Sequence, residues 1–480
     1  MGTTKQISKN ALFLTLATGA SRLGRLALVW YIGSRMGAAV LGEYGIIMTF
    51  TSMFQAFGVQ GLTPLVMREV AQGKRQFGRF LSNISIISAL IALVFILAMD
   101  GMALVLRYPH STLAGIVVMG VSVVPGTVAR TLEAAIKAKE KMGYVALGTL
   151  AQSIAVVGPA MILLHDGHGL LAVFWTFVVG ELFLAGAYLL VIDRTIERVH
   201  PRFDSGTWRE LGSTISTFFG ASMAGIGLRR LDVVILSKLR DSTAVGLYTA
   251  PFKLVDALMG LRPAIGQAML PSMARYSGGQ RDNLRLIALS SVKFFTVFLL
   301  PVALCVTMVS RDVFSRYYSP EFAASGVVLQ VLVWSVIPFF VFGVLRNAII
   351  VQGHEKVAMR IAVTNLAVNI VLNLVLVPYL GPLGTAISML VTTVTQTVQA
   401  IAFVHRRLMR LDIGRTIVRP CLAMCIAGGL AWLALRSGWS LTAVLPSALV
   451  AYGILIVLFK VLSADEVSFL VRIPQQLGRS

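Results

Sequence analysis

Apolar stretches of some twenty residues recur along this chain from residue 10 to residue 462, each long enough to cross a hydrocarbon layer of about 30 Å as a helix. Of the 480 residues, 56% are hydrophobic and 13% charged, where soluble domains carry roughly 25% charged residues. A fold in water has nowhere to hide that much apolar surface. In lipid a helix satisfies its own backbone, so the expectation is an all-α membrane protein. Charged and Gly/Pro-rich breaks divide the chain into about fourteen spans. The first six are 10–33, 41–65, 81–106, 112–136, 144–164 and 169–192; the seventh and eighth are 213–237 and 243–273; the last is 440–462. The first apolar stretch carries Arg22 and Arg25 and reads as a retained span rather than a cleaved signal. Cys305, Cys421 and Cys425 all fall in apolar runs and read as packing residues.

A formal charge of +21 raises the question of nucleic acid, and the topology answers it. With the N-terminus inside, the inner loops collect Arg68, Lys74, Arg75 and Arg79, then Lys137, Lys139 and Lys141, then Arg194, Arg198, Arg202 and Arg209. In the second half they collect Arg275, Arg281, Arg285, Lys356, Arg360, Arg406, Arg407, Arg410, Arg415 and Arg419. Far fewer lie outside, among them Arg35, Arg107, Lys238 and Arg240. This bias places both termini in the cytoplasm of a multi-pass inner-membrane protein and leaves no need for a nucleic-acid partner. The loops are short, the longest internal one being 194–212. No P-loop and no HExxH zinc motif is present, so the expectation is transport rather than catalysis, with no cofactor and no metal.

The two halves echo each other. Arg25 leads to Gly42-Glu43-Tyr44 and then to Pro64 and Arg68; Arg229 leads to Gly246-Leu247-Tyr248 and then to Pro271 and Arg275, with the Arg-to-Gly and the Pro-to-Arg spacings the same in both. Arg130 precedes Glu140-Lys141 much as Arg346 precedes Glu355-Lys356, and Gly169 precedes Glu181 as Gly384 precedes Gln396. The expected organisation is a six-helix lobe at 1–193, a cytoplasmic linker at 194–212, a second six-helix lobe at 213–405, and two further helices with a tail at 406–480. Both halves start on the same side, so the repeat is parallel, with a site expected near the midplane between them.

Ionisable groups inside spans are costly and mark function. Thr15, Thr18, Arg22 and Arg25 fall on one helical stripe, and Arg22 sits too deep to reach the surface easily. Ser222, Gly225, Arg229 and Asp232 form the corresponding stripe, with Arg230 adjacent, and Lys253 and Asp256 follow in the next span. Arg229 with Asp232, and Lys253 with Asp256, also admit a structural reading as i,i+3 pairs. Arg130 with Glu133, Arg262 and Arg346 lie nearer cytoplasmic ends, where snorkelling is easy. Glu181 stands alone in mid-span, placed to carry a proton or ion. Cations outnumber acids across these positions, which favours an anionic passenger, and the guanidinium fork matches phosphate. The expected substrate-binding set is Arg22, Arg25, Arg229, Arg230 and Lys253; the supporting or coupling set is Asp232, Asp256, Glu181, Arg130, Glu133, Arg262 and Arg346. His165, Asp166 and His168, beside Gly167 and Gly169, read as a solvated turn.

At this point a family resemblance emerges. Asp232, the run Val245-Gly246-Leu247-Tyr248-Thr249-Ala250 with Lys253, the run Gln352-Gly353-His354-Glu355-Lys356, and Asn373 to Pro378 continuing into Leu380-Gly381-Pro382-Leu383-Gly384-Thr385-Ala386 carry it, together with Gly37 to Tyr44. The chain resembles the polysaccharide transporters and O-antigen-type oligosaccharide flippases of the multidrug/oligosaccharidyl-lipid/polysaccharide exporter superfamily. That resemblance implies two six-helix lobes around a cationic cavity, alternating access, and a polyprenyl-diphosphate-linked glycan as cargo. It also implies membrane lipid, a polysaccharide polymerase and chain-length proteins as partners. One departure is Gln396, where relatives often carry an acid. A cation-coupled multidrug extruder and a non-transporting scaffold of a glycan-assembly complex are the alternatives. The first calls for carboxylates and aromatics in the cavity, and the second needs no buried charge at all.

Overall fold

In the computed structural model the described residues are 2–60, 62–73, 76–198, 208, 230–260, 281–412 and 414–461, with side chains described from Phe13 onward except at 58, 60, 281–283, 414 and 415. Among them every regular element is a helix. Eleven helical stretches among the described residues are long and apolar enough to cross a membrane. The outward faces are apolar: Leu97 is 74% exposed, Ile154 72% and Val457 75%, as fits a fold whose solvent is lipid.

Helix α1 (Gly2–Gln60) has 59 residues, roughly 90 Å at the α-helical rise, far more than one crossing needs. At Gly37 the backbone leaves the helix, with φ 89° and ψ 177°, a region open in practice to glycine alone. The loop expected between the first two spans is therefore a kink at one residue, and α1 is long enough for both crossings.

After α2 (Leu62–Gln72), four long helices follow: α3 (Phe77–Val105), α4 (His110–Ala138), α5 (Met142–His165) and α6 (Leu170–Thr195). They match the third to sixth expected spans within a few residues. Their connections are short because each helix ends in a left-handed residue that turns the chain at once: Arg107 (φ 51°), Glu140 (φ 57°) and Gly167 (φ 84°). The next amide reaches back to close each end, Lys141 N to Ile136 O at 3.1 Å and His168 N to Leu163 O at 2.9 Å. The His165–Gly169 segment is an exposed turn.

The chain divides into two compact units, 1–250 and 251–480, a boundary that falls inside helix α8. In the first unit Leu65, Val66, Phe80, Leu81, Ile84, Leu132, Ile136, Leu184 and Tyr188 form a buried core joining α2, α3, α4 and α6. Helix α7 (Leu231–Leu239) and the first part of α8 (Ser242–Met259) complete it. The second unit holds α9 (Arg281–Tyr317), α10 (Ala323–Leu332), α11 (Val336–Val351), α12 (Glu355–Leu380), α13 (Pro382–Phe403), α14 (Arg419–Arg436) and α15 (Leu441–Leu458). The last two pack on α9 through Leu300, Leu304, Met424, Val444 and Tyr452, and the Tyr452 hydroxyl donates to Val297 O at 3.0 Å.

Candidate functional site

A polar cavity of about 140 Å³ lies among the helices of the first unit, with room for several waters. Four helices make it. The N-terminal half of α1 contributes Arg25, its second half Thr51, Ser52 and Gln55, α4 Ser122 and Arg130, α5 Gln152 and Ser153, and α6 Glu181. Small residues bring α1 and α5 together. Ser21 Oγ donates to Thr149 O at 3.2 Å and Ser153 Oγ to Ser21 O at 3.4 Å. A Cβ on Gly24 would sit 3.3 Å from Ser153 Oγ, so glycine permits this approach. The approach sets the Arg25 side of α1 against the polar face of α5.

Arg130 anchors the opposite wall. Its Nη1 donates to Glu133 Oε2 at 2.9 Å on the same helix, and its Nη2 lies 3.8 Å from Glu181 Oε1 on α6. Lys137 Nζ completes the row, 2.6 Å from Glu133 Oε1. These side chains are 14–30% exposed, so the network is partly shielded and its Coulomb attraction is stronger than at an open surface. Where α4 passes Glu181 the sequence has Pro125-Gly126, and the missing Cβ at Gly126 leaves space that the Gln55 amide and, at 3.3 Å, Glu181 Oε2 occupy. That buried oxygen has no hydrogen-bond partner among the described residues.

Arg130 is thus flanked by two carboxylates, whereas Arg25 has none within ion-pair distance among the described residues. Arg25 is exposed to the cavity, and Arg22, one turn earlier, is half-buried. The lining itself holds two guanidiniums against one carboxylate, and Glu181, which pairs with Arg130, acts on Arg25 only from beyond ion-pair distance.

The structure therefore joins Arg25, Arg130, Glu133 and Glu181 in one place. Two readings change. Arg130 does not snorkel but turns inward, because Glu133 and Glu181 offer it acceptors there, and Glu181 is not alone but faces Arg130. Gln55, Gln152 and Gly126 escaped notice in the sequence, although two amides inside apolar runs were a legible signal. Other candidates are not among the residues lining this cavity. Asp232, at the start of α7, is buried and accepts a hydrogen bond from the Tyr248 hydroxyl at 2.9 Å, with Arg230 within electrostatic reach. Lys253 and Asp256 on α8 and Arg346 on α11 are half-buried members of the second unit. Arg229 and Arg262 lie outside the described residues.

Comparison with known proteins places this arrangement. The chain is 19% identical over 392 residues to a probable low-salt glycan biosynthesis flippase of Haloferax volcanii, covering 80% of this chain and 82% of that protein. Its fold matches that of the lipid II flippase MurJ in an inward closed conformation, with a TM-score of 0.76 at 13% identity over 93% of this chain and 98% of the other. It also matches an inward-facing multidrug resistance MATE family transporter of the MOP superfamily, with a TM-score of 0.68 at 12% identity over 81% and 94% of the two chains. The protein is a multi-pass membrane protein with a transporter fold. Residues 37–326, more than half of its length, match the family described as polysaccharide biosynthesis protein, and the chain belongs to that family.

Proposed function

We propose that this protein is a flippase that carries a polyprenyl-diphosphate-linked glycan from the inner to the outer leaflet of the bacterial inner membrane by alternating access. The observation that carries the reading is Arg25, a guanidinium lining a cavity with room for water inside an apolar bundle, with no carboxylate in ion-pair range among the described residues. Placing a charge inside the membrane span costs several kcal/mol, and a phosphate repays it with two parallel hydrogen bonds. Arg22 extends the cationic stripe toward the cytoplasm. Gln55, Gln152, Ser52, Ser122 and Ser153 supply neutral donors and acceptors of the kind that hydroxyl-rich glycans take. The glycan flippase similar to this chain, and its polysaccharide biosynthesis family, support the same cargo class.

In this reading the two lobes are 1–193 and 213–405, joined by 194–212, both termini are cytoplasmic, and the lipid tail stays in the bilayer while the headgroup crosses. Glu181 is the group assigned to the coupling ion, because one of its oxygens is buried without a hydrogen-bond partner among the described residues. A coupling carboxylate of that kind also suits a cation-coupled extruder of the same superfamily, and the cargo decides between the two.

Transport in proteoliposomes tests the proposal. Wild-type protein is expected to move a fluorescent polyprenyl-diphosphate oligosaccharide across the bilayer. Arg25→Ala is expected to abolish movement, and Arg25→Lys to retain part of it. Full transport by Arg25→Ala, or wild-type export of organic cations with no movement of the glycan lipid, rejects the reading.

A further inference from the structure

Helix α13 ends in a π-helical turn at Val404–Leu408, and α14 is entered through another at Gly414–Val418. By length and composition the membrane-crossing stretches on either side are Pro382–Leu408 and Thr416–Arg436, so the short connection between them joins two span ends, which in a membrane protein lie near the headgroups. The connection has two faces. Val404, Met409 and Leu411 are buried, at 0%, 9% and 9% exposure. The Leu411 amide donates to His405 Nδ1 at 3.1 Å, and Met409 N to Val404 O at 2.9 Å, which folds the strap back on the end of α13. Arg406, Arg407 and Arg410 are left outward and exposed. No carboxylate among the described residues comes within ion-pair distance of these three.

A neighbouring turn enlarges the patch. His354, between α11 and α12, meets Phe403 edge-on at 5.5 Å, and the start of α12 exposes Lys356 and Arg360. Across the two segments, 352–360 and 404–412, five cations stand against Glu355 and Asp412. A topological bias accounts for basic residues on this side of the membrane. It does not account for a strap that buries its apolar residues, pins its backbone with a histidine nitrogen and shows three guanidiniums on its outer side.

We propose that this strap is a docking surface for anionic phospholipid headgroups, with Arg406, Arg407 and Arg410 holding the phosphates and Lys356 and Arg360 strengthening the field. Guanidinium binds phosphate oxygens through a planar fork, and each basic group close to an anionic membrane surface contributes about a fivefold gain in affinity. Bound lipid then fastens the connection through which α14 and α15 are appended to the second unit. This inference does not depend on the proposed cargo.

The full-length protein, purified in nonionic detergent and offered phosphatidylglycerol or phosphatidylcholine of matched chains, gives the test by native mass spectrometry. The wild type is expected to retain phosphatidylglycerol at least about tenfold better. Arg406→Gln, Arg407→Gln and Arg410→Gln, made singly so that most of the topological charge survives, are each expected to lower that preference by about fivefold, and the triple variant to remove it. Arg316→Gln, at the exposed end of α9, should leave it unchanged. Equal retention of the two lipids by the wild type, or single variants that leave the preference intact, overturns the proposal. So does displacement of bound lipid by equimolar soluble pyrophosphate, which would mark a site for free anions.

Discussion

Gly42 on α1 and Gly246 on α8 stand against each other so closely that neither position has room for a methyl group. A Cβ on Gly42 would collide with the Ser242 carbonyl and lie 2.9 Å from Gly246 N; a Cβ on Gly246 would collide with the Ala38 carbonyl and lie 3.0 Å from Gly42 N. Ala38 and Ser242 each precede their own glycine by one helical turn, so the crossing reads the same from either helix. These glycines are equivalent positions of the repeated Gly-x-Tyr segment. The repeat is thus expressed as a reciprocal backbone contact, the kind of close approach that glycine alone allows between membrane helices.

Gly42→Ala and Gly246→Ala are expected to destabilise the protein by about 1–3 kcal/mol each, at the upper end of overpacking costs, because the obstacle is a backbone carbonyl and cannot rotate away. Thermal unfolding in detergent measures the effect. Gly101→Ala on α3 is the control, since a Cβ there meets nothing within 4 Å. A melting temperature for Gly42→Ala equal to that of the control would show that the crossing is not tight.

Arg130→Gln removes the cation between Glu133 and Glu181 and leaves both acids facing each other without it. Fully buried broken pairs cost 3–5 kcal/mol, and these groups keep some exposure, so a loss of about 1–3 kcal/mol is expected. Adding Glu181→Gln to Arg130→Gln should recover part of it, a coupling of about 1 kcal/mol. Strict additivity in the melting data would deny the interaction across the cavity.

What the sequence revealed, and what it withheld, follows from how far each signal reaches along the chain. Hydrophobic run length is local, so α3 to α6 could be placed within a few residues from composition alone. The kink at Gly37 was not legible, because a glycine near a span end reads equally well as part of a loop. Arg25 was legible as a charge in an apolar run. That no carboxylate among the described residues comes within ion-pair distance of it depends on α4 and α6, more than a hundred residues away, and no spacing rule relates them. The same distance hid the Arg130–Glu181 pairing. Asp232 accepts from Tyr248 one helix later, a contact beyond the reach of an i,i+3 rule, while its expected pairing with Arg229 lies outside the described residues.

Gly126→Ala separates the site from the fold. The added methyl meets the flexible end of Gln55 and the edge of the Glu181 carboxylate, and both can move, so stability is expected to change by less than about 1 kcal/mol. Transport should nonetheless fall, since the two groups that fill that space line the cavity. Unchanged transport with Gln55 displaced would take that amide out of the site.

Glu181→Gln keeps the shape of the side chain and deletes its charge, so glycan-lipid binding is expected to persist while the response of transport to an imposed pH or sodium gradient is lost. Proteoliposomes with opposed gradients read this directly. A variant that still follows the gradient as the wild type does would move coupling to another residue.

Tyr108, in the turn between α3 and α4, donates to or accepts from Ser237 Oγ at 2.6 Å, and Lys238 Nζ lies 3.3 Å from its ring centre. Burial pushes its phenol up to about 12 from an ordinary 10, with the Ser237 hydrogen bond acting weakly the other way. In the unfolded chain the phenol ionises near pH 10 while the folded one still holds its proton, so unfolding releases a proton between about pH 10 and 12. Stability from this group is fully present below pH 10 and falls as pH rises through that window. Tyr108→Phe, which cannot ionise, is expected to unfold at lower temperature at neutral pH through loss of the hydrogen bond, by about 1 kcal/mol, and to show a shallower decline above pH 10. Melting curves of the two proteins that decline in parallel from pH 9 to 11.5 would assign the alkaline sensitivity elsewhere.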